Sequence, residues 1–171
     1  MTKRLFMQHI IISFISTDRP GIVDLISNTV KEHHGNWQTS SLHHLSGLFA
    51  GIIEITVEES NQALLCAALK GLPDLNLQIE IAPEHNETVA EKLVLELTAN
   101  DRPGIINSIS SVIHHHNGNL IKLVSNQQSA AHSGQTMFNA KAHITINENA
   151  IDEMIEALEN IADDLMVDIS R

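Results

Sequence analysis

The chain is 171 residues long and carries 10 Lys and Arg against 21 Asp and Glu, for a formal net charge of -11 with its 11 His neutral. That length holds one ordinary domain or two small ones, and 43% apolar residues supply material for a core. An aromatic share of 3% without any Tyr excludes a base-stacking platform, and negative charge spread over both halves repels phosphates, so direct nucleic-acid binding is not expected.

A membrane span is not expected either. The apolar run ending at Ile12 falls far short of the ~20 residues that cross a bilayer. Gln8, His9 and Ser13 also interrupt the stretch after the basic start, and no small-residue cleavage site follows. A cytoplasmic protein is expected, with the single Cys66, in the apolar run Ala63–Leu69, as a buried and inert thiol.

The first predicted element is a strand over Ile10–Ile15. Ile10, Ile12 and Phe14 share one face and Ile11 and Ile15 the other, so both faces read as buried, against another unit or a second chain. Asp18-Arg-Pro-Gly-Ile22 follows. Pro in a first helical turn gives up no needed hydrogen bond and an Asp before it can cap the free amides, which predicts a helix start. Ile22, Ile26 and Val30, four apart, give that helix its apolar face, and Gly35 its left-handed stop. Next come strands over Trp37–Leu45 and Phe49–Val57, a helix over Asn61–Leu72 and a strand over Leu75–Ile81. Glu84–Thr88 reads as a polar linker.

The series then repeats. After a strand at Leu93–Leu97, Asp101-Arg-Pro-Gly-Ile105 restates the first motif at an offset of 83, and the same offset carries His33 and Gly35-Asn36 onto His116 and Gly118-Asn119. A helix with Ile105, Ile109 and Ile113 on one face ends at Gly118. Strands at Leu120–Ser125 and Phe138–Ile146, a helix over Ala150–Asp164 and a strand at Leu165–Ile169 complete the copy. Phe49 maps to Phe138 at an offset of 89, so the second copy has six extra residues in the turn within Asn126–Gln135. The expectation is α+β: two ferredoxin-like βαββαβ units, residues 1–83 and 92–171 joined by a linker at 84–91, each a four-stranded antiparallel sheet with two helices on one face.

In each copy the Asp-Arg-Pro-Gly turn joins a strand to a helix N-terminus, where unpaired amides and the helix dipole favour an anion. Gly21 and Gly104 let a ligand approach the backbone, and Asp18 or Asp101 offers a partner to an ammonium. The loop can cradle the polar half of an amino acid; equally, the same residues can simply begin a helix.

A βαββαβ unit with Asp-Arg-Pro-Gly-Ile after its first strand and Gly-Asn after its first helix resembles the ACT domain, and the resemblance covers essentially the whole chain. It implies amino-acid binding at an interface between two such units, with Asp18, Gly21, Ile22 and Asn36 and their counterparts Asp101, Gly104, Ile105 and Asn119 as site residues. It further implies a non-enzymatic negative regulator of transcription of the glycine cleavage system. Such a regulator would act by contact with a DNA-binding activator, with glycine as effector and a homodimer as one possible form. The alternatives are a regulatory subunit that tunes an enzyme of amino-acid metabolism and a purely structural interaction module. Some amino-acid-binding ACT domains have Asn where this chain has Asp18 and Asp101, and Ser16-Thr17 against Ala99-Asn100 makes the two loops unlike.

No cofactor or metal is expected. His114, His115 and His116 fall about 100° apart per residue on a helix, His33 and His34 likewise, and His43 and His44 point to opposite faces of a strand. His33 and His116 suit a helix C-terminus and a modest response to mild acid. No nucleophile elbow, phosphate loop or distinguished carboxylate pair supports catalysis. One charged feature remains: Glu148, Asp152, Glu156, Glu159 and Asp163 fall within about 80° of one another on a helix, opposite Ile151, Ile155, Leu158 and Ala162. This is either a solvated face or, centred on Asp152, Glu156 and Glu159, a docking surface for a basic partner. Gln127–Gln135 is a second candidate contact.

Overall fold

The computed structural model describes residues 6–82, 91–129 and 134–170. The linker expected at Glu84–Thr88 lies outside the described residues. The chain divides into two compact units, Met1–Asn86 and Glu87–Arg171.

In the first unit the elements are β1 (Met7–Thr17), α1 (Ile22–Glu32), β2 (Asn36–Leu45), β3 (Leu48–Glu58), α2 (Glu59–Lys70) and β4 (Asn76–Ile81). They form one antiparallel sheet of order β2-β3-β1-β4. The second unit repeats this with β5 (Glu91–Asn100), α3 (Ile105–His115), β6 (Asn119–Ser129), β7 (Thr136–Ile146), α4 (Ile151–Glu159) and β8 (Met166–Ser170), in the order β6-β7-β5-β8. Each unit is a ferredoxin-like βαββαβ fold.

Period-2 and period-3.6 patterns meet in each core. Ile10, Ile12 and Phe14 of β1 and Ile53, Ile55 and Val57 of β3 face Ile22, Ile26 and Val30 of α1 and Leu65 and Leu69 of α2, all buried. The second core repeats the arrangement with Leu93, Leu95 and Leu97 against Ile105, Ile109 and Ile113. Each fully buried Ile or Leu contributes roughly 1.5–3 kcal/mol of transfer free energy.

No helix covers the outer face of β1, where Ile11 is half-buried, Ile15 is 44% exposed and Ile52, opposite Ser13, is 51% exposed. Three expectations need correction. The helix stops are not made by Gly35 and Gly118. The left-handed residues are His34 (φ 58) and Asn117 (φ 57), one position earlier. Gly35 and Gly118 donate amides back to Val30 and Ile113 carbonyls at 2.8 and 2.9 Å. A Cβ on Gly35 would lie 2.9 Å from Val30 Cγ1, so glycine is required there by packing. α4 ends at Glu159 rather than Asp164, because Asn160 and Ile161 close it with bonds to Glu156 and Leu158 carbonyls and the chain then descends to bury Leu165. Its buried face is Ile151, Met154 and Leu158, with Ile155 only half-buried. Lastly, the turn expected within Asn126–Gln135 is partly strand: β6 continues through Ser129, paired with Thr136, while residues 130–133 lie outside the described residues.

Candidate functional site

β1 ends at Thr17, and Asp18 and Arg19 lead into a Pro20-Gly21 turn from which α1 rises. Gly21 is left-handed (φ 91) and its carbonyl accepts the first helical bond, from Leu25 N at 2.9 Å. Gly104 repeats this with φ 85 and a bond from Ser108 N at 2.9 Å. A side chain at either φ would be strained by about 1–2 kcal/mol. Beyond each glycine lies open space, since an added Cβ would meet nothing within 4 Å.

The aspartates do not cap these helices, contrary to expectation; neither α1 nor α3 has a side-chain cap. The reason is local. Asp18 is pinned to the β2–β3 hairpin by its amide, which donates to Gly47 O at 2.9 Å, and Asp101 N donates likewise to Thr136 O at 2.8 Å. The left-handed glycine then turns the chain before the helix begins. Neither first turn has a side-chain acceptor for its amides, although in the second unit the Ile105 amide donates to Arg102 O at 3.3 Å.

The aspartate carboxylates face β2 and β6 instead. Asp18 Oδ2 stands 3.6 Å from His44 Nε2, and Asp101 Oδ2 accepts a 2.7 Å hydrogen bond from Gln127 Nε2. His44 and Gln127 are related by the same offset of 83 as the motif, so the signal was present in the sequence; reading it needed the strand pairing. The arginines brace the loops. Arg19 donates to Pro73 O at 3.5 Å, with Asp74 4.0 Å away, and Arg102 donates to Ile161 O at 3.2 Å. In the second unit Asp164 Oδ2 also accepts from Asn100 N at 2.7 Å, and that backbone bond, with a smaller contribution from the Arg102 charge, holds its carboxyl below the usual range.

Ser16 stands two residues before Asp18, near the end of β1. It continues the buried row Ile12, Phe14 on the helix-covered face of β1, pairs with Phe49 and is 7% exposed, and its hydroxyl has no hydrogen-bond partner. The register equivalent in the second unit is Ala99, opposite Phe138. A buried hydroxyl left unpaired is uncommon enough to require an explanation.

The two Asn positions are elsewhere. Asn36 pairs with Thr56, which pairs with His9, whereas Asp18 follows Thr17 at the other end of β1. The eight-residue span from His9 to Thr17 corresponds to about 26 Å at strand rise. Asn119, opposite Thr145 and hence Lys92, is equally remote from Asp101. One unit thus brings Asp18, Gly21 and Ile22 together and excludes its own Asn36; the same holds for Asp101, Gly104 and Ile105 against Asn119.

Asp152, Glu156 and Glu159 are exposed on one side of α4, and among the described residues none is in an ion pair. Glu148 sits in a short 3-10 turn and Asp163 lies beyond the helix, so the stripe is shorter than expected. A shallow depression of about 270 Å³ on the uncovered face of the second sheet is lined by Glu96, Thr98, Asn139 and Lys141. Those four pair with one another, through a 2.9 Å Lys141–Glu96 ion pair and a 3.1 Å bond from Thr98 Oγ1 to Asn139 Oδ1, and Asn126 also lines the depression. Cys66 is only partly buried; desolvation pushes its thiol up, against a smaller lowering by Lys70, so the reactive thiolate is disfavoured. Among the described residues no group of three His, Cys, Asp or Glu is placed to hold a metal, and no helix is long and apolar enough to cross a membrane.

No family model matches the sequence. No curated protein matches it. Solved structures do. A crystal structure described as an unknown protein from Galdieria sulphuraria superposes with a TM-score of 0.85 at 22% identity, over 96% of this chain and 98% of that one. A second, provisionally described as a glycine cleavage system transcriptional repressor, gives 0.72 at 18% identity over 97% and 99%. At such identities the likeness speaks to fold. The chain is, in its fold, a tandem pair of ferredoxin-like βαββαβ units, similar along essentially its whole length to the structure provisionally described as a glycine cleavage system transcriptional repressor.

Proposed function

We propose that this protein is a non-enzymatic, cytoplasmic regulator that responds to an amino acid, built from sensing units at residues 1–83 and 92–171 joined by a linker at 84–91. The observation that carries the reading is the strand–helix loop, present twice: a left-handed glycine with open space above it, an uncapped helix N-terminus, and a carboxylate alongside. Amides suit the carboxylate of an amino acid and Asp18 or Asp101 suits its ammonium.

Asn36 and Asn119 each stand about 26 Å from the loop of their own unit, by strand rise, so one amino acid held at a loop does not reach the Asn of the same unit. Binding at a loop would shift the population of a partner-competent state, provided the states differ in affinity.

In its concrete form the reading is negative control of transcription of the glycine cleavage system, with glycine as effector and a DNA-binding activator as the protein partner. It is supported by the whole-length likeness to a protein so described and by the charge of -11, which disfavours direct DNA contact. Asp152, Glu156 and Glu159 are the proposed contact with a basic surface on that partner. Calorimetry of the full chain with glycine and the other standard amino acids at millimolar concentration tests the sensor: heat with at least one is expected, and none with any overturns it. Affinity capture then tests the partner, since recovery of an amino-acid enzyme in place of a transcription factor contradicts the transcriptional form.

A further inference from the structure

The two loops share a backbone and differ in what surrounds it. In the first unit the buried Ser16 hydroxyl lies two residues before Asp18, on the helix-covered face of the sheet toward which Ile22 of α1 also packs. It has no partner, and the amides of that first turn have no cap. In the second unit Ala99 stands at the same register and leaves nothing to satisfy.

The carboxylates differ in the same sense. Gln127 occupies Asp101 at 2.7 Å, a full hydrogen bond, whereas His44 stays 3.6 Å from Asp18, beyond hydrogen-bond length. The first turn of α1 also carries Asp24, where α3 has Asn107. Two carboxylates, Asp18 and Asp24, therefore flank the uncapped amides of the first loop. That combination repels a simple anion and matches a zwitterion, whose ammonium meets a carboxylate while its own carboxylate meets the amides.

Resting on the sensor reading above, we infer that the loops are functionally unequal: the first is the loading site for a small zwitterionic amino acid and Ser16 donates its hydroxyl to the bound carboxylate, while the second is closed on itself by Gln127. The unpaired hydroxyl is then a group kept for a ligand at a cost to the empty protein. Ser16→Ala consequently does two opposite things. It removes a buried unsatisfied group, which raises or preserves thermal stability, and it removes a ligand contact, which weakens binding about tenfold or more.

The test is titration of the ¹⁵N-labelled full chain with glycine, and separately with acetate as a carboxylate lacking the ammonium, in wild type and in Ser16→Ala. Expected are glycine-dependent amide shifts at Gly21 and Ile22 that exceed those at Gly104 and Ile105, no saturating response to acetate, and at least a tenfold weaker glycine affinity in Ser16→Ala with an equal or higher Tm. Equal shifts at both loops, saturable acetate binding, or unchanged glycine affinity in Ser16→Ala overturns the inference and leaves the sensor reading standing. A Tm clearly lowered by Ser16→Ala also overturns it, because the hydroxyl is then structural. Absence of binding by any amino acid removes the sensor reading and this inference together.

Discussion

The first and second units keep the same frame and fill it differently. Both have the left-handed glycine ahead of the helix, the arginine reaching the turn before the last strand, and a left-handed residue followed by a tightly packed glycine after the helix. Around that frame, Ser16, Asp24 and His44 stand where the second unit has Ala99, Asn107 and Gln127. The uncovered sheet faces differ in part: Ile15, Leu48 and Ile52 are exposed in the first unit, whereas the second sets the Glu96–Lys141 pair and the Thr98–Asn139 bond beside its exposed Val124 and Met166. Backbone geometry is what a duplicated unit must retain to fold; the side chains lining a loop are free to specialise.

The largest effects are expected where the frame is shared. Gly35→Ala and Gly118→Ala each force a Cβ to 2.9 Å from a core side chain, which overpacking costs at about 1–3 kcal/mol. Denaturant titration checks this, and near-equal losses at both positions mark the frame as common. A marked inequality breaks the symmetry of the two cores.

Smaller and opposite in sign are the changes that exchange the fillings. Ser16→Ala is expected to stabilise by about 1 kcal/mol and Ala99→Ser to destabilise by a similar amount, because each removes or adds one buried unpaired hydroxyl. Thermal melts of the two single variants decide it. Shifts of the same sign would mean that the surroundings of the two positions differ in more than this side chain.

A subtler contrast is electrostatic. Asp164 has its folded pKa lowered, first by the Asn100 amide, so its contribution is present above the ordinary carboxylate value and is lost as pH falls through the lowered folded value. The Asn100 amide resonance should titrate below the usual carboxylate range and cease to titrate in Asp164→Asn. A midpoint at or above that range contradicts the assignment.

The smallest effect on stability is expected on α4. Asp152, Glu156 and Glu159 are exposed and outside any described ion pair, so changing all three to Lys should alter folding free energy by no more than about 0.5 kcal/mol per site, measured by chemical denaturation. On the proposed docking role the same variant loses affinity for its protein partner in a co-purification assay.

Much of this fold is legible in the sequence because periodicity reports faces directly. Ile22, Ile26 and Val30, and Ile105, Ile109 and Ile113, are buried where spacing alone puts them. What periodicity does not report is which ends of elements meet. Asn36 follows α1 and Asp18 precedes it, so a helix and a strand of similar length separate them, and only the register of β1 with β3 and β2 makes that distance explicit. The acidic spacing from Glu148 to Asp163 overran α4 because a polar face carries no penalty for leaving the helix, while burial of Met154 and Leu165 fixes where the chain turns. Gly35 and Gly118 read as conformational stops, yet their role is close packing, a distinction that depends on Val30, Ile55 and Leu65 lying around Gly35 and on Ile113 lying against Gly118.

The central claim is that one of two similar loops takes an amino acid. Isothermal titration of the wild-type full chain with glycine tests it most directly: the account predicts one saturable site per chain, and two equal sites or no saturable heat would contradict it.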